Sequence, residues 1–339
     1  MKTRLIVLLC IVVLALSLTP ALAQDDEPFR VAAVAPSATN DLAFSQSMYD
    51  ALMAVQEELG EENFEFDFQD GTFVVDDAAV ALREWAASGD YDLIIAHGSQ
   101  YGAILEELAP EFPDVSFAWG TDDSTFGLDN VYAYTAAAEE GGYVNGVLAA
   151  SLTETGVIGV IGPIEVGDAK LYVDGFVEGV AAVDEEIEVN VVYIGSFSDV
   201  PLATEAATTH LDNDADILTG TAQMVVGPIA VALEEEVPWF GTQSSQAELS
   251  AEVGVAFQIY HWEVVLMDII ANIDEGILGG ESYTIDLENE GLTIEFGEYE
   301  LDEDLFELAQ DTIDAIIAGD IEVLPEEVIE PEATEEAEG

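Results

Sequence analysis

Carboxylates dominate the residues that could do chemistry in this chain, yet their spacing assembles no catalytic pattern. The three histidines, His97, His210 and His261, lie far apart in neither HxH nor HxxxH spacing, so no metal site is expected from them. Asp212-Asn213-Asp214-Ala215-Asp216 starts like a calcium loop but lacks the glycine at the sixth position and the glutamate at the twelfth. It reads as a solvated acidic turn before a strand. Gly98-Ser99-Gln100-Tyr101-Gly102 misses the spacing of a nucleophile elbow. Gly156, Gly159 and Gly162 recur every third residue along an apolar run, which suits close backbone packing better than a dinucleotide fingerprint. Neither a catalytic residue nor a cofactor is expected.

What remains is a set of polar and aromatic residues that directly follow apolar stretches. They are Asn40-Asp41-Leu42-Ala43-Phe44, His97-Gly98-Ser99-Gln100, Trp119-Gly120-Thr121-Asp122, Gly195-Ser196-Phe197-Ser198-Asp199, Gly220-Thr221-Ala222-Gln223 and Gly241-Thr242-Gln243-Ser244. Aromatic faces can stack on a flat ligand, while amides and carboxylates fix its polar edges. This chemistry is recognition of a small molecule, without bond making.

The elements that must position these residues follow from periodicity. Short apolar runs alternate with helical patterns such as Met48, Ala51, Leu52, Val55 and Leu59 on one face. Buried strands alternating with helices predict parallel sheets covered on both faces. The cycle runs from residue 30 to about 134 and restarts at 139, which predicts two α/β lobes with three of the six segments in each. In such sheets ligands bind beyond the carboxyl ends of the strands. Past residue 254 the pattern changes: Tyr283, Ile285 and Leu287, then Leu292, Ile294 and Phe296, alternate as a hairpin would, before a last amphipathic helix.

Composition narrows the partners. With 71 acidic against 5 basic residues the formal charge is −66, and half of the chain is apolar. That much apolar material builds cores and excludes a disordered acidic chain. No basic stripe exists to displace counterions, so nucleic acid is excluded as a partner, as is an anionic membrane surface.

Lys2 and Arg4, the apolar run Leu5 to Leu18, and Ala21-Leu22-Ala23 read as a signal peptide, residues 1–23, cleaved after Ala23. Export would remove Cys10, the only cysteine, with no lipobox to anchor the chain. The remainder would hold 71 acids against Arg30, Arg83 and Lys170, a formal −68. Residues 325–339, mostly Glu, Pro, Ala and Thr, read as a disordered acidic tail.

Several motifs together resemble the BMP (basic membrane protein, PnrA-like) solute-binding proteins of ABC transporters. Asp41-Leu42-Ala43-Phe44-Ser45-Gln46 is similar to that family's D-x-S-F-N-Q segment, and Ala109-Pro110-Glu111-Phe112-Pro113-Asp114-Val115-Ser116-Phe117 to its A-x-x-Y/F-P-D-V-x-F run. Glu139-Glu140-Gly141-Gly142-Tyr143-Val144-Asn145-Gly146, Asp174-Gly175-Phe176-Val177-Glu178-Gly179 and Gly195-Ser196-Phe197-Ser198-Asp199 follow in the family's order. The resemblance implies a type I periplasmic-binding-protein fold, two doubly wound parallel-sheet lobes joined by a hinge with a ligand cleft between them. Lobe 1 would be 28–136 plus about 260–290, and lobe 2 would be 137–257 plus about 291–323.

The resemblance further implies a non-enzymatic, monomeric receptor that hands a purine nucleoside or related ligand to an ABC permease. Phe44 and Phe197 would supply stacking faces and Asp41 a polar contact. The family's asparagine after the phenylalanine is Ser45 here. One aspartate falls on Thr121, beside Asp122, another on Gln243, and a lysine falls near His261-Trp262. Those losses question a nucleoside, while Trp119, Trp262 and Tyr101 still suit a flat base or another aromatic metabolite. The expected ligand-binding set is therefore Asp41, Phe44, Ser45, His97, Gln100, Trp119, Thr121, Asp122, Phe197, Asp199, Gln243, His261 and Trp262. A ligand-sensing module of a signalling system is the alternative role for the same cleft.

Few acids fall in the six ligand segments, so the charge describes the medium more than the binding chemistry. In a saline setting, ions would screen self-repulsion that is severe at low ionic strength. The melting temperature is then expected to climb as salt is raised; a flat profile would leave simple lysine depletion as the account.

Overall fold

Apolar runs of four to seven residues are too short for buried helices and become strands, while the longer amphipathic stretches between them wind into helices that cover the sheets. In the computed structural model, which describes residues 28–324, the first series is β1 (Phe29–Val34), α1 (Phe44–Leu59), β2 (Phe64–Gln69), α2 (Val75–Ser88), β3 (Leu93–His97), α3 (Gly102–Leu108), β4 (Ser116–Gly120) and β5 (Val131–Ala136). The second is α4 (Ala138–Leu152), β6 (Val157–Gly162), α5 (Gly167–Val183), β7 (Glu188–Tyr193), α6 (Val200–Asp212), β8 (Ile217–Gly220), α7 (Val226–Glu235), β9 (Trp239–Thr242), α8 (Ser244–Ser250) and β10 (Gly254–Tyr260). Next come α9 (Glu263–Asp274), β11 (Ser282–Ile285), β12 (Leu292–Phe296) and α10 (Glu303–Ile317). The expected signal peptide and acidic tail lie outside the described residues. Among the described residues no helix is long and apolar enough to cross a membrane.

Two six-stranded sheets result, in the orders β11-β5-β4-β3-β1-β2 and β12-β10-β9-β8-β6-β7. Every pairing is parallel except that of β12 with β10. The two lobes thus carry the fold that the alternating pattern predicts. The hairpin expected from Tyr283 to Phe296 does not form. Ser282–Ile285 extends the first sheet beside Ala133–Ala136, whereas Leu292–Phe296 extends the second beside Ala256–Tyr260. Alternation sets which face of a strand is buried, but not which neighbour it joins. Here each strand finds the open edge of a different sheet.

The chain therefore passes between the sheets three times, near residues 137, 261 and 286–291. The crossings are tied side by side. The Leu287 amide donates to the Glu140 carboxylate at 2.9 Å, and the His261 amide donates to the Gly291 carbonyl at 2.8 Å. Burial pushes the Glu140 carboxyl up to about 7. The acidic turn before β8 is less free than its composition suggests, because Asp216 accepts from the Thr153 hydroxyl and from the amides of Glu154 and Thr155.

Helices α4 and α5 cross at backbone contact. A Cβ at Gly142 or Gly146 would strike the carbonyls of Tyr172 or Phe176, and one at Gly175 or Gly179 would strike those of Glu139 or Tyr143. Each helix thus brings a pair of glycines, four residues apart, to the same contact. Alanine is the better helix former by about 1 kcal/mol, but overpacking a close contact costs about 1–3 kcal/mol and two helix backbones have nowhere to move. Gly146→Ala and Gly179→Ala are each expected to lower stability by about 1–2 kcal/mol, read as a lower midpoint in urea with an unchanged slope.

Candidate functional site

The carboxyl ends of the strands of both sheets face a single cleft of about 610 Å³, within the range that encloses metabolite-sized ligands. Its first wall holds Phe44 at the start of α1, Gln100 after β3, Thr121 after β4 and Phe73 from the loop after β2. Facing it are Asp168 in the first turn of α5, Phe197 after β7, Thr221 and Gln223 after β8, Gln243 after β9, and Tyr260 at the end of β10.

Phe44 is held from behind. Its ring stacks on the His97 imidazole at 3.9 Å between centroids, and Tyr134 continues the stack behind His97 at 5.9 Å. His97 is fully buried. Its Nε2–H donates to the Phe44 carbonyl at 3.2 Å, which leaves Nδ1 to accept from the Tyr134 hydroxyl at 2.9 Å. Burial pushes the imidazole down to about 3, with the Phe44 carbonyl opposing, so the ring is neutral at physiological pH. His97 therefore orients the aromatic wall without lining the cleft.

Asp41 also stands behind the wall. Ala43 caps α1 without a side-chain bond of its own, and Asp41 does that work from two residues upstream. Its carboxylate accepts from the amides of Ala43, Ser45 and Gln46 at 2.9, 3.2 and 3.1 Å, and from the Ser37 hydroxyl at 2.5 Å. In return the Gln46 side chain accepts the Leu42 amide, as in a capping box. Ser45 is buried with its hydroxyl against Ser37.

Of the other expected residues, Phe44, Gln100, Thr121, Phe197 and Gln243 line the cleft. Trp119 packs inside lobe 1, stacked on Phe126 with its indole N–H on the Gly98 carbonyl. Asp122 accepts the Ser124 amide in a turn, and Asp199 caps α6 by accepting the Leu202 amide. His261 bonds Glu263 and Thr293 beside a smaller cavity of about 200 Å³. Trp262 is buried among His97, Tyr134 and Tyr260 and donates to the Ser47 hydroxyl. The structure engages these side chains in local bonds or packing, outside the lining of the main cleft.

Gln223, Asp168 and Tyr260 were not in the expected set. Gln223 sits in a marked segment, and Tyr260 ends an apolar strand. Asp168 follows β6 at a distance of six residues, so adjacency to the strand did not reveal it. Gln223 reaches across the cleft: its amide donates to the Ser37 hydroxyl at 2.9 Å and to the Asp41 carboxylate at 3.1 Å, leaving its Oε1 buried without a partner. Gln246 makes a second interlobe bond to the Leu42 carbonyl at 3.1 Å.

Comparison with known proteins agrees with this architecture. A family model described as ABC transporter substrate-binding protein PnrA-like matches residues 29–333. A purine-binding protein of Brucella abortus is 25% identical over 88% of this chain and 84% of its own length. The transcriptional activator protein med of Bacillus subtilis is 23% identical over 80% of this chain and 82% of its own. Among solved structures, an ABC transporter solute-binding protein from Conexibacter woesei superposes with a TM-score of 0.75 at 23% identity, covering 87% of this chain and 98% of that one.

Hydrogen bonds to charged groups are worth about 1.5–3 kcal/mol, and the Gln223 amide makes one between the lobes. Gln223→Ala is expected to shift the ligand-free protein toward the open form by that amount, seen as a larger radius of gyration in X-ray scattering. An unchanged radius would show that the bond does not hold the lobes together.

Proposed function

The chain belongs to the family of PnrA-like ABC transporter substrate-binding proteins, and we propose that it is an exported receptor for a nucleoside- or nucleobase-like molecule, which it delivers to an ABC permease. Binding families of this kind hold their ligand and release it unchanged. The observation that carries the ligand class is the pair Phe44 and Phe197, one from each lobe, lining the same cleft with amide and hydroxyl side chains between them. Aromatic faces on both walls favour a flat ring, and the surrounding amides suit its polar edges. The name of the Brucella relative adds support for a purine.

Closure supplies the mechanism. A ligand touching both lobes stabilises the form in which they are apposed, and only differential affinity for that form shifts the population. The permease then reads the closed shape. Export through residues 1–23, with cleavage after Ala23, would place a monomeric receptor outside the cytoplasmic membrane. A sensory role for the same cleft is the second reading, favoured by the Bacillus relative named as a transcriptional activator. A permease and ATPase encoded beside the gene would support transport, and a receptor kinase there would support sensing.

A thermal-shift screen of nucleosides, nucleobases and small aromatic metabolites tests the ligand class. Nucleosides or bases are expected to raise the melting temperature of the wild type, and Phe44→Ala or Phe197→Ala to abolish the rise while the free protein still folds. No shift across the panel would overturn the nucleoside reading.

A further inference from the structure

The charge of this protein and the charge of its cleft are very different. Of the residues lining the cleft, Asp168 is the sole carboxylate, and none is Lys, Arg or His. The basic residues among the described ones are engaged on the surface: Arg30 with Glu65, Arg83 with Glu111, and Lys170 with Asp174. Lys170 is only two residues beyond Asp168, but positions i and i+2 of a helix do not share a face.

Helix amino termini are the other common source of positive potential. Those of α1 and α5 border this cleft, and each is already answered by a carboxylate of the chain itself. Asp41 takes the amides of α1, and Asp168 stands in the first turn of α5. Helix α2 also starts at the rim with Val75, followed by Asp76 and Asp77, and the short α8 starts there after Gln243 with no acid in its first turn. At α1 and α5 a phosphate or carboxylate on a ligand would therefore meet an acid where an anion site needs a cation or free amides.

Asp168 is also held in position. Its Oδ2 accepts the Tyr260 hydroxyl at 3.3 Å, and Tyr260 accepts the Gln258 amide at 2.9 Å. That long bond and the backbone amides of Asp168 and Ala169 occupy part of a carboxylate that offers about four acceptor positions, which leaves room for a ligand donor. We propose that Asp168 is the specificity-determining group of the cleft, accepting a hydrogen bond from an N–H or O–H donor of an uncharged or singly cationic ligand and turning away anionic ones. This rests on the cleft being the ligand site.

Enclosure raises the Asp168 carboxyl above its ordinary range, with the Tyr260 bond and the helix amides opposing. The titratable groups around it are Tyr260 on β10 and, beyond Tyr260, Glu139 on α4. An acid whose folded value is raised loses stability as pH climbs through that range, because the folded state releases its proton less readily than the unfolded one.

Two measurements on the full chain test the proposal. In melting experiments without ligand, Asp168→Asn is expected to melt at or above the wild type at pH 8, with the difference shrinking toward pH 4. A lower melting temperature at pH 8 would make Asp168 a structural support of α5 and overturn the proposal. In calorimetry, adenosine is expected to bind the wild type and adenosine 5′-monophosphate not to, with Asp168→Asn weakening adenosine by at least about tenfold. Unchanged affinity in Asp168→Asn, or equal binding of the monophosphate by the wild type, would overturn it. If neither probe binds either protein, the nucleoside reading fails, and the melting comparison still decides for or against Asp168.

Discussion

One carboxylate organises the cleft from behind. Asp41 satisfies three amides at the start of α1, holds the Ser37 loop that leaves β1, and receives the Gln223 amide from the opposite lobe. The orientation of Phe44 follows from this, since it begins the helix that Asp41 nucleates and rests on the His97 ring. Exposed amides at a helix start must find acceptors, and a charged acceptor satisfies them most strongly. A binding wall, a helix terminus and a contact between lobes thus depend on the same two oxygen atoms.

Around this point the protein separates its charges. Acids crowd the exposed faces of helices and the turns, where water and salt screen them. The cleft instead presents aromatic rings, amides, hydroxyls and the single carboxylate of Asp168. Its histidine neighbour is neutral because burial removes the water that would stabilise an imidazolium. A strongly anionic chain can in this way enclose a site whose lining is nearly uncharged, with one acid amid neutral donors and acceptors.

Much of the fold was legible in the residues. Strand and helix alternate as the apolar spacing predicts, because parallel sheets bury both faces of their strands and leave a plain signal. The glycine pairs of α4 and α5 lie within two of the family-like motifs, but only the crossing of two backbones explains their spacing. The site was legible in part. The rule that ligands lie beyond strand ends led to Phe44, Gln100, Thr121, Phe197 and Gln243. It also collected Asp41, Trp119, Asp122 and Asp199, whose positions in the chain are similar but whose bonds are internal. A polar residue after a strand can face the ligand or cap the next helix, and its type alone does not tell which.

By itself, the sequence determined the fold class, the presence of two lobes, the absence of familiar catalytic spacings and the family, since periodicity and local motifs are properties of neighbouring residues. The tertiary structure alone decided that residues 282–296 divide between two sheets, that Gln223 spans the cleft to Asp41, and that Asp168 is the acid exposed within it. Each of these joins residues far apart in the chain. Such pairings depend on which edge is left open and which donor finds an unspent acceptor, and those are settled only when the lobes are assembled.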